Sequence, residues 1–336
     1  MNKIKLMEVC GTHTMAIAKS GIKAILPESV ELVSGPGCPV CVTSQSDIDK
    51  AIAVSGIKDV IIATFGDMMR VPGEKESLAQ AKSRGKDIRM VYSCMDALSI
   101  AKDNPKKRIV FIGVGFETTS PTVAATIMEA KRQKINNFFV LSCFKLIPPA
   151  LYAVSNSDKV KIDGFICPGH VSVIIGTGPY EKFAACCKKP CVIAGFEDTD
   201  ILVSIKRLVE MIKARSYKAE IEYKRAVTKN GNTKARKILA SVFDVAPGQW
   251  RGIGIIEKSA LKINKRYASF DAEKEFDIKI SATLPKKGCM CGEVIQGIIY
   301  PNECKLFKRT CTPRNPKGPC MVSSEGACAA YYRYGK

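Results

Sequence analysis

The sequence is poor in the groups that most often carry catalysis and recognition. Histidine occurs only twice in 336 residues, as His13 and His170, and tryptophan once, as Trp250. Sites built mainly from histidine are thereby excluded. Aromatic residues make up 7% of the chain, and none interleaves with the basic clusters, so no platform for stacking nucleic-acid bases is present. No apolar run reaches the roughly 18 residues of a membrane span, and no transmembrane helix is expected. Met1 to Glu8 has neither the apolar core nor the cleavage site of a secretion signal, so a cytoplasmic protein is expected. Acidic charge is also short: 32 acidic residues face 52 basic ones, for a net charge of +20. The excess is scattered through Lys106-Lys107-Arg108, Lys188-Lys189 and Lys286-Lys287. That distribution describes a solvated lysine surface, open to an acidic protein or an anionic small molecule. Neither a nucleic acid nor a membrane is expected as partner. An RNA-binding protein, the weakest alternative, would show affinity that falls steeply with salt.

Sulfur, by contrast, is abundant. The chain has 15 cysteines. In a reducing compartment that number points to metal and thiol chemistry, not to a disulfide framework. The organising stretch is Gly35-Pro36-Gly37-Cys38-Pro39-Val40-Cys41, a CxxC pair set in glycine and proline. Val30 to Ser34 before it reads as a strand. Ser44 to Val54 after it reads as a helix, with serine and aspartate in the first turn. Two thiols at a strand-to-helix turn meet unpaired backbone N–H groups, which favour thiolate, the form that reacts and binds metal. A structural zinc half-site or a pair of buried thiols is the alternative, but zinc ordinarily asks for a second CxxC and the sequence has none.

The same strand, loop, helix pattern opens the chain. Ile4 to Val9 reads as a strand, Cys10-Gly11-Thr12-His13-Thr14 as a loop, and Met15 to Leu26 as helical. Ligand sites of open α/β sheets lie at the carboxyl ends of strands, so Cys10 would meet Cys38 and Cys41 if their strands are neighbours. Further strands are expected at 60–65, 88–91, 108–114, 138–142, 162–166 and 190–194. Gly-Phe-Glu closes a strand twice, at Gly115 and Gly195, which suggests two related α/β halves. Glu197, Asp198 and Asp200 read as capping residues of the helix from Ile201. Length and composition predict an α/β fold with mainly parallel sheets: one α/β domain over 1–135, a second over 136–240, and a small cysteine-rich domain over 241–336. Around Trp250 a turn and a short strand are expected. Cys289, Cys291, Cys304, Cys311, Cys320 and Cys328 then crowd into a stretch too poor in aliphatic residues to build a core alone, so a metal or cluster is the expected organiser. Their irregular spacing suits a [4Fe–4S] cluster, with Cys291, Cys304, Cys311 and Cys328 as the expected ligands and Cys289 and Cys320 left over. A zinc knot is the other arrangement.

Taken together, Cys10 to Thr14, Gly35 to Cys41, Gly115 to Thr119, Pro168-Gly169-His170-Val171-Ser172 and Cys320 to Cys328 resemble, in that order, the motifs of the HypD family of hydrogenase maturation proteins. The resemblance implies a scaffold on which the Fe(CN)₂CO group of [NiFe]-hydrogenase is assembled, with redox and ligand-transfer activity. It implies two α/β domains about a cleft and a C-terminal [4Fe–4S] domain. It also implies partners: a HypC-type chaperone sharing the iron through its terminal cysteine, and a HypE-type donor passing cyanide from a thiocyanate-bearing tail made with HypF from carbamoyl phosphate. Outside such complexes a monomer is expected. Cys10 becomes an iron ligand. Cys38 and Cys41 become ligands, or a redox pair fed by the cluster. His13 and His170 become donors to a cyanide nitrogen or carriers of a proton. Thr12, Thr118 and Thr119 would line the pocket, and Glu117 and Glu325 would serve proton transfer or docking. Soft thiolates suit low-spin iron carrying cyanide and CO. The alternative function is a general thiol–disulfide reductase driven by the cluster, indifferent to Cys10.

Overall fold

The computed structural model describes residues 3–278, 280 and 288–335. Its frame is a pair of parallel sheets. β1 (Ile4–Glu8) pairs with β2 (Val30–Ser34) in register from Ile4 opposite Val30 to Glu8 opposite Ser34. The other edge of β1 receives β7 (Gly164–Pro168), followed outward by β8 (Cys191–Ala194) and β9 (Ala219–Ile221). The strand order is β2-β1-β7-β8-β9. The second sheet holds β3 (Val60–Thr64), β4 (Ile88–Met90), β5 (Arg108–Gly113) and β6 (Phe138–Ser142) in the order β4-β3-β5-β6. β3 is buried along its whole length and β5 all but its first residue. That is why both read as unbroken Val/Ile/Phe runs: helices cover both faces of a parallel sheet.

The mainly parallel α/β architecture is as expected, with the cysteine-rich segment following it. The expected break at 135 does not divide the strands. The chain leaves the first sheet after β2, builds the whole second sheet, and returns at β7. β6, beyond the break, pairs with β5, and β7 lies beside β1. Hydrophobic periodicity announces a strand but not its neighbour. The two Gly-Phe-Glu loops fall one in each sheet, after β5 and after β8. The short strand expected near Trp250 is instead a long antiparallel hairpin, β10 (Phe243–Trp250) with β11 (Gly254–Ile263). Pro247 interrupts its alternation at the irregularity between Ala246 and Gly248. The hairpin packs on the second sheet, not in a C-terminal domain: Ser142 Oγ donates to Leu261 O at 2.6 Å, and Leu146 N to Ser259 O at 2.9 Å.

In parallel sheets all strands end on one side. The loops after β1, β2, β7 and β8 of the first sheet, and after β5 of the second, therefore carry the motif residues that precede the C-terminal segment. Among the described residues from 288 on, the C-terminal segment holds only short turns of helix until Ala327–Tyr334, which packs against the helix Gly11–Ser20 beside Cys10.

Candidate functional site

Pairing of β1 with β2 forces their two loops together. Gly35 N donates to Glu8 O at 2.7 Å, and Gly11 N to Gly37 O at 2.9 Å. A Cβ on Gly37 would lie 2.0 Å from the Cys10 nitrogen. Only glycine lets two backbones approach this closely, and the approach seats Cys10 against the residue preceding Cys38. All three sulfur residues are buried, with Cys10 at 7%, Cys38 at 5% and Cys41 at 0% exposure.

Cys10 caps the helix Gly11–Ser20. Burial pushes its thiol up to about 12; backbone N–H groups of His13 and Thr12 pull the other way, and the carboxylates of Glu8 and Glu325 add to the rise. The thiol therefore keeps its proton near neutral pH. Glu8 is itself buried, and desolvation raises its carboxyl to about 7 although it accepts from Cys10 N at 3.0 Å and Thr14 Oγ1 at 2.6 Å. Cys38 opens the short turn Pro39–Val42, and its sulfur accepts from Cys41 N at 3.3 Å and from the Cys41 thiol at 2.7 Å. Both are free thiols. Burial raises the Cys41 thiol well above the ordinary range. As the sequence suggested, Ser44 caps the following helix, Gln45–Ser55, accepting from Asp47 N at 3.1 Å.

Cys41 is also within hydrogen-bonding reach of Cys320. Cys320 in turn reaches Cys291 and Cys328, and the Cys289 and Cys291 sulfurs stand 3.3 Å apart. Cys311, which accepts from Lys317 N at 3.3 Å, feels the charges of Cys289 and Cys291. The two cysteines left over in the sequence reading, Cys289 and Cys320, thus stand among the rest, and Cys320 links the CxxC pair to them. No thiol contact joins Cys304 to this group among the described residues. Nor do three His, Cys, Asp or Glu side chains among the described residues converge on a single metal-ion position. The donor set is nevertheless all sulfur, and a buried cation with a free donor, Arg251, lies beside it. A four-iron cluster is a larger body than one ion and is held by thiolates, the donor type this group offers.

The helix-capping reading of the acidic trio also holds: Glu197 N donates to Asp200 Oδ2 at 3.1 Å, and Asp200 pairs with Arg225. Both histidines lie in the first turn of a helix, not in extended loops, and they flank Phe196. His13 Nε2 lies 2.8 Å from Gly195 O. A carbonyl only accepts, so Nε2 carries the proton and Nδ1 is a lone-pair acceptor, buried without a partner. Burial lowers this ring to about 4, so His13 stays neutral and anchors the β8 loop. His170 stacks on Phe196 at a ring distance of 4.1 Å and is exposed. Glu117 is buried and accepts from Ile147 N at 3.1 Å, at the start of the helix Ile147–Ser155 that follows β6; Thr118 is exposed. Thr12 Oγ1 donates to Glu325 Oε1 at 2.7 Å, bringing a carboxylate from the far C-terminus to the Cys10 loop. Glu325, Thr119, Pro39, Val40, Asp67 and Met68 line a cleft of about 450 Å³ between the CxxC loop and the second sheet.

The family model for HypD, described as "Hydrogenase formation hypA family", matches residues 1–335. A hydrogenase maturation factor HypD of Cupriavidus necator is 46% identical over 342 residues, spanning 99% of this chain and 90% of its own. That of Escherichia coli is 45% identical over 98% of this chain and 89% of its own, and that of Rhodobacter capsulatus 43% over 99% and 89%. None of the helices among the described residues is long and apolar enough to cross a membrane. With its cysteine loops on adjoining strands and relatives of this closeness along almost its full length, the chain belongs to the HypD family of hydrogenase maturation factors.

Proposed function

We propose that the chain is the cytoplasmic scaffold on which the Fe(CN)₂CO group of [NiFe]-hydrogenase is put together, with Cys10, Cys38 and Cys41 holding the iron unit as substrate. The backbone contact between Gly37 and Cys10 supports this reading, because it brings two cysteine-bearing loops together and the three cysteines on them are buried. Iron arriving there replaces thiol protons that burial would otherwise retain. The carboxyl of Glu8, raised to about 7, is poised to pass protons near neutrality. Thr119 and Glu325, the latter held by Thr12, border the cleft through which a HypC-type chaperone and a HypE-type cyanide donor would reach the iron. Met90 and Tyr92 stand on the rim of that cleft at 63% and 100% exposure, an apolar edge suited to a protein partner. Cys291, Cys304, Cys311 and Cys328, with Cys289 and Cys320 beside them, would hold a [4Fe–4S] cluster, which supplies electrons when bound. Cys320 touches Cys41, and when the CxxC pair is an oxidised disulfide the Cys320 thiolate would attack Cys41, forming a Cys320–Cys41 mixed disulfide and releasing Cys38 as thiolate. Outside these complexes the scaffold would be a monomer.

Infrared spectroscopy of the anaerobic protein copurified with its chaperone tests this. Cyanide and CO stretching bands are expected, and Cys10→Ala should abolish them. An iron-free wild-type protein without such bands sinks the proposal. The contact from Cys38 through Cys41 to Cys320 favours a second reading, a general cluster-driven thiol–disulfide reductase. A Cys10→Ala protein that still supports hydrogenase maturation would select it.

A further inference from the structure

Between the CxxC turn and the C-terminal thiols lies a buried guanidinium. Arg251 sits at the tip of the β10–β11 hairpin and is 9% exposed. Its backbone N donates to Val42 O at 2.9 Å, its Nε to Thr43 O at 2.9 Å and its Nη1 to Gln45 Oε1 at 3.0 Å. These hold it against the two residues that follow Cys41. Nη2 is buried with no acceptor, and no carboxylate pairs with Arg251 among the described residues. On its other side the hairpin tip meets the C-terminal segment backbone to backbone: a Cβ on Gly252 would lie 2.2 Å from the Cα of Gly292, the neighbour of Cys291. Gln296 Nε2 clasps the same junction, donating to Gly252 O at 2.8 Å and Gly292 O at 2.9 Å. The guanidinium is near enough to Cys289 for their charges to interact.

A guanidinium is always charged, and burying one beside neutral groups alone is strongly unfavourable. Thr43 O and Gln45 Oε1 are neutral acceptors. The missing negative charge lies where the thiols are, and it appears only when they are deprotonated by a bound metal centre. We infer that Arg251 is the counter-charge of the thiolate-bound centre in the C-terminal segment, with its free Nη2 left to donate to a sulfur of that centre. This rests on the reading that residues 289–328 hold a [4Fe–4S] cluster. Arg251 is a positioning and charge-compensating residue. A positive charge and an N–H donor at the sulfurs favour the more negative, reduced form and so raise the reduction potential.

The test is a redox titration of the full-length anaerobic protein, followed by its visible absorption and by electron paramagnetic resonance. At the wild-type midpoint, Arg251→Gln should lower the ratio of reduced to oxidised centre about tenfold, which is about 59 mV for a one-electron couple. Arg251→Lys, which keeps the charge, should stay closer to wild type. A second measurement needs no variant to fold. Wild-type protein labelled with ¹⁵N-guanidinium arginine should show a nitrogen coupling to the reduced centre in pulsed resonance spectra. Equal potentials in wild type and Arg251→Gln, or no nitrogen coupling, overturn the inference. Wild-type protein that never carries an iron–sulfur chromophore overturns the reading beneath it.

Discussion

Gly37 has no side chain, and the 2.0 Å from its Cβ position to the Cys10 nitrogen leaves room for none. The obstacle is backbone, which cannot rotate away as a side-chain tip can. Gly37→Ala should therefore separate the two cysteine loops, lower stability by about 3 kcal/mol in denaturant titration and abolish iron retention. A variant that keeps both stability and iron would show that the loops need not touch. Glu117 gives a residue-scale prediction in pH. Burial raises its carboxyl from 4.5 to about 7. Below about pH 4.5 it is protonated whether the chain is folded or not. Between 4.5 and 7 the unfolded chain gives up the proton and the folded chain keeps it, so stability falls as pH rises. Above 7 the loss levels off at about 3 kcal/mol. Glu117→Gln keeps an acceptor for Ile147 N and removes the titration. Its stability relative to wild type should improve by about 3 kcal/mol between pH 5 and pH 8. A difference that does not change with pH would mean that the carboxyl is ionised throughout. At this scale the placing of Cys10, Cys38 and Cys41 on the turns that follow two strands was legible, because Gly, Pro and Thr mark those turns locally. The contacts of Cys320 and Arg251 were not. Each makes its decisive contact with a residue more than two hundred positions away, and no local spacing records that.

The strand, loop and helix of each unit were readable because apolar period and capping residues are local. β2 and β6 fall on the residues where alternation and punctuation placed them, and Ser44 caps its helix. The β10–β11 hairpin was underestimated because Pro247 and Gly248 look like a turn when the chain only bulges there. What fixes these elements to one another is less visible. Lys145, after β6, reaches Asp47 in the first turn of the helix that follows the CxxC pair, with an N–O distance of 3.2 Å. Its side chain is only 5% exposed and that of Asp47 14%. The bridge ties the helix behind the thiols to the second sheet. Removing one partner of a buried pair strands the other charge, so Lys145→Met should cost about 3 kcal/mol. The double variant with Asp47→Asn should recover part of it, and the cycle should show a coupling above about 1 kcal/mol. Loss below about 1 kcal/mol in chemical denaturation of Lys145→Met would show that the two elements are held by packing alone.

At the scale of the molecule the sheets are interleaved, and this decides which pieces can stand alone. β1 lies between β2 and β7, so the first sheet is assembled from strands more than a hundred residues apart. Nothing in composition or period distinguishes that arrangement from two consecutive domains, because both give the same succession of strand and helix. Their physical consequences differ. A fragment ending at residue 135 would have β1 and β2 without β7, and β5 without β6. A fragment of residues 136–240 would keep β7, β8 and β9 but expose the edge of β7 that β1 covers, along with buried faces at Phe165 and Ile166. Unpaired parallel edges and bare apolar faces favour aggregation over folding. Each fragment should therefore lack dispersed amide resonances and a cooperative thermal transition when made alone. The full chain should unfold both sheets together, with amides of β1 and β7 exchanging at the same rate. A fragment 136–240 that folds alone, with native-like exchange protection in β7, would mean that β1 is an accessory edge and that the cleft thiols ride on a separable lobe. The backbone pairing from Leu6–Gly164 to Glu8–Ile166 predicts the opposite, because it makes the strand that presents Cys10 a central strand of the sheet whose β7 leads to His170.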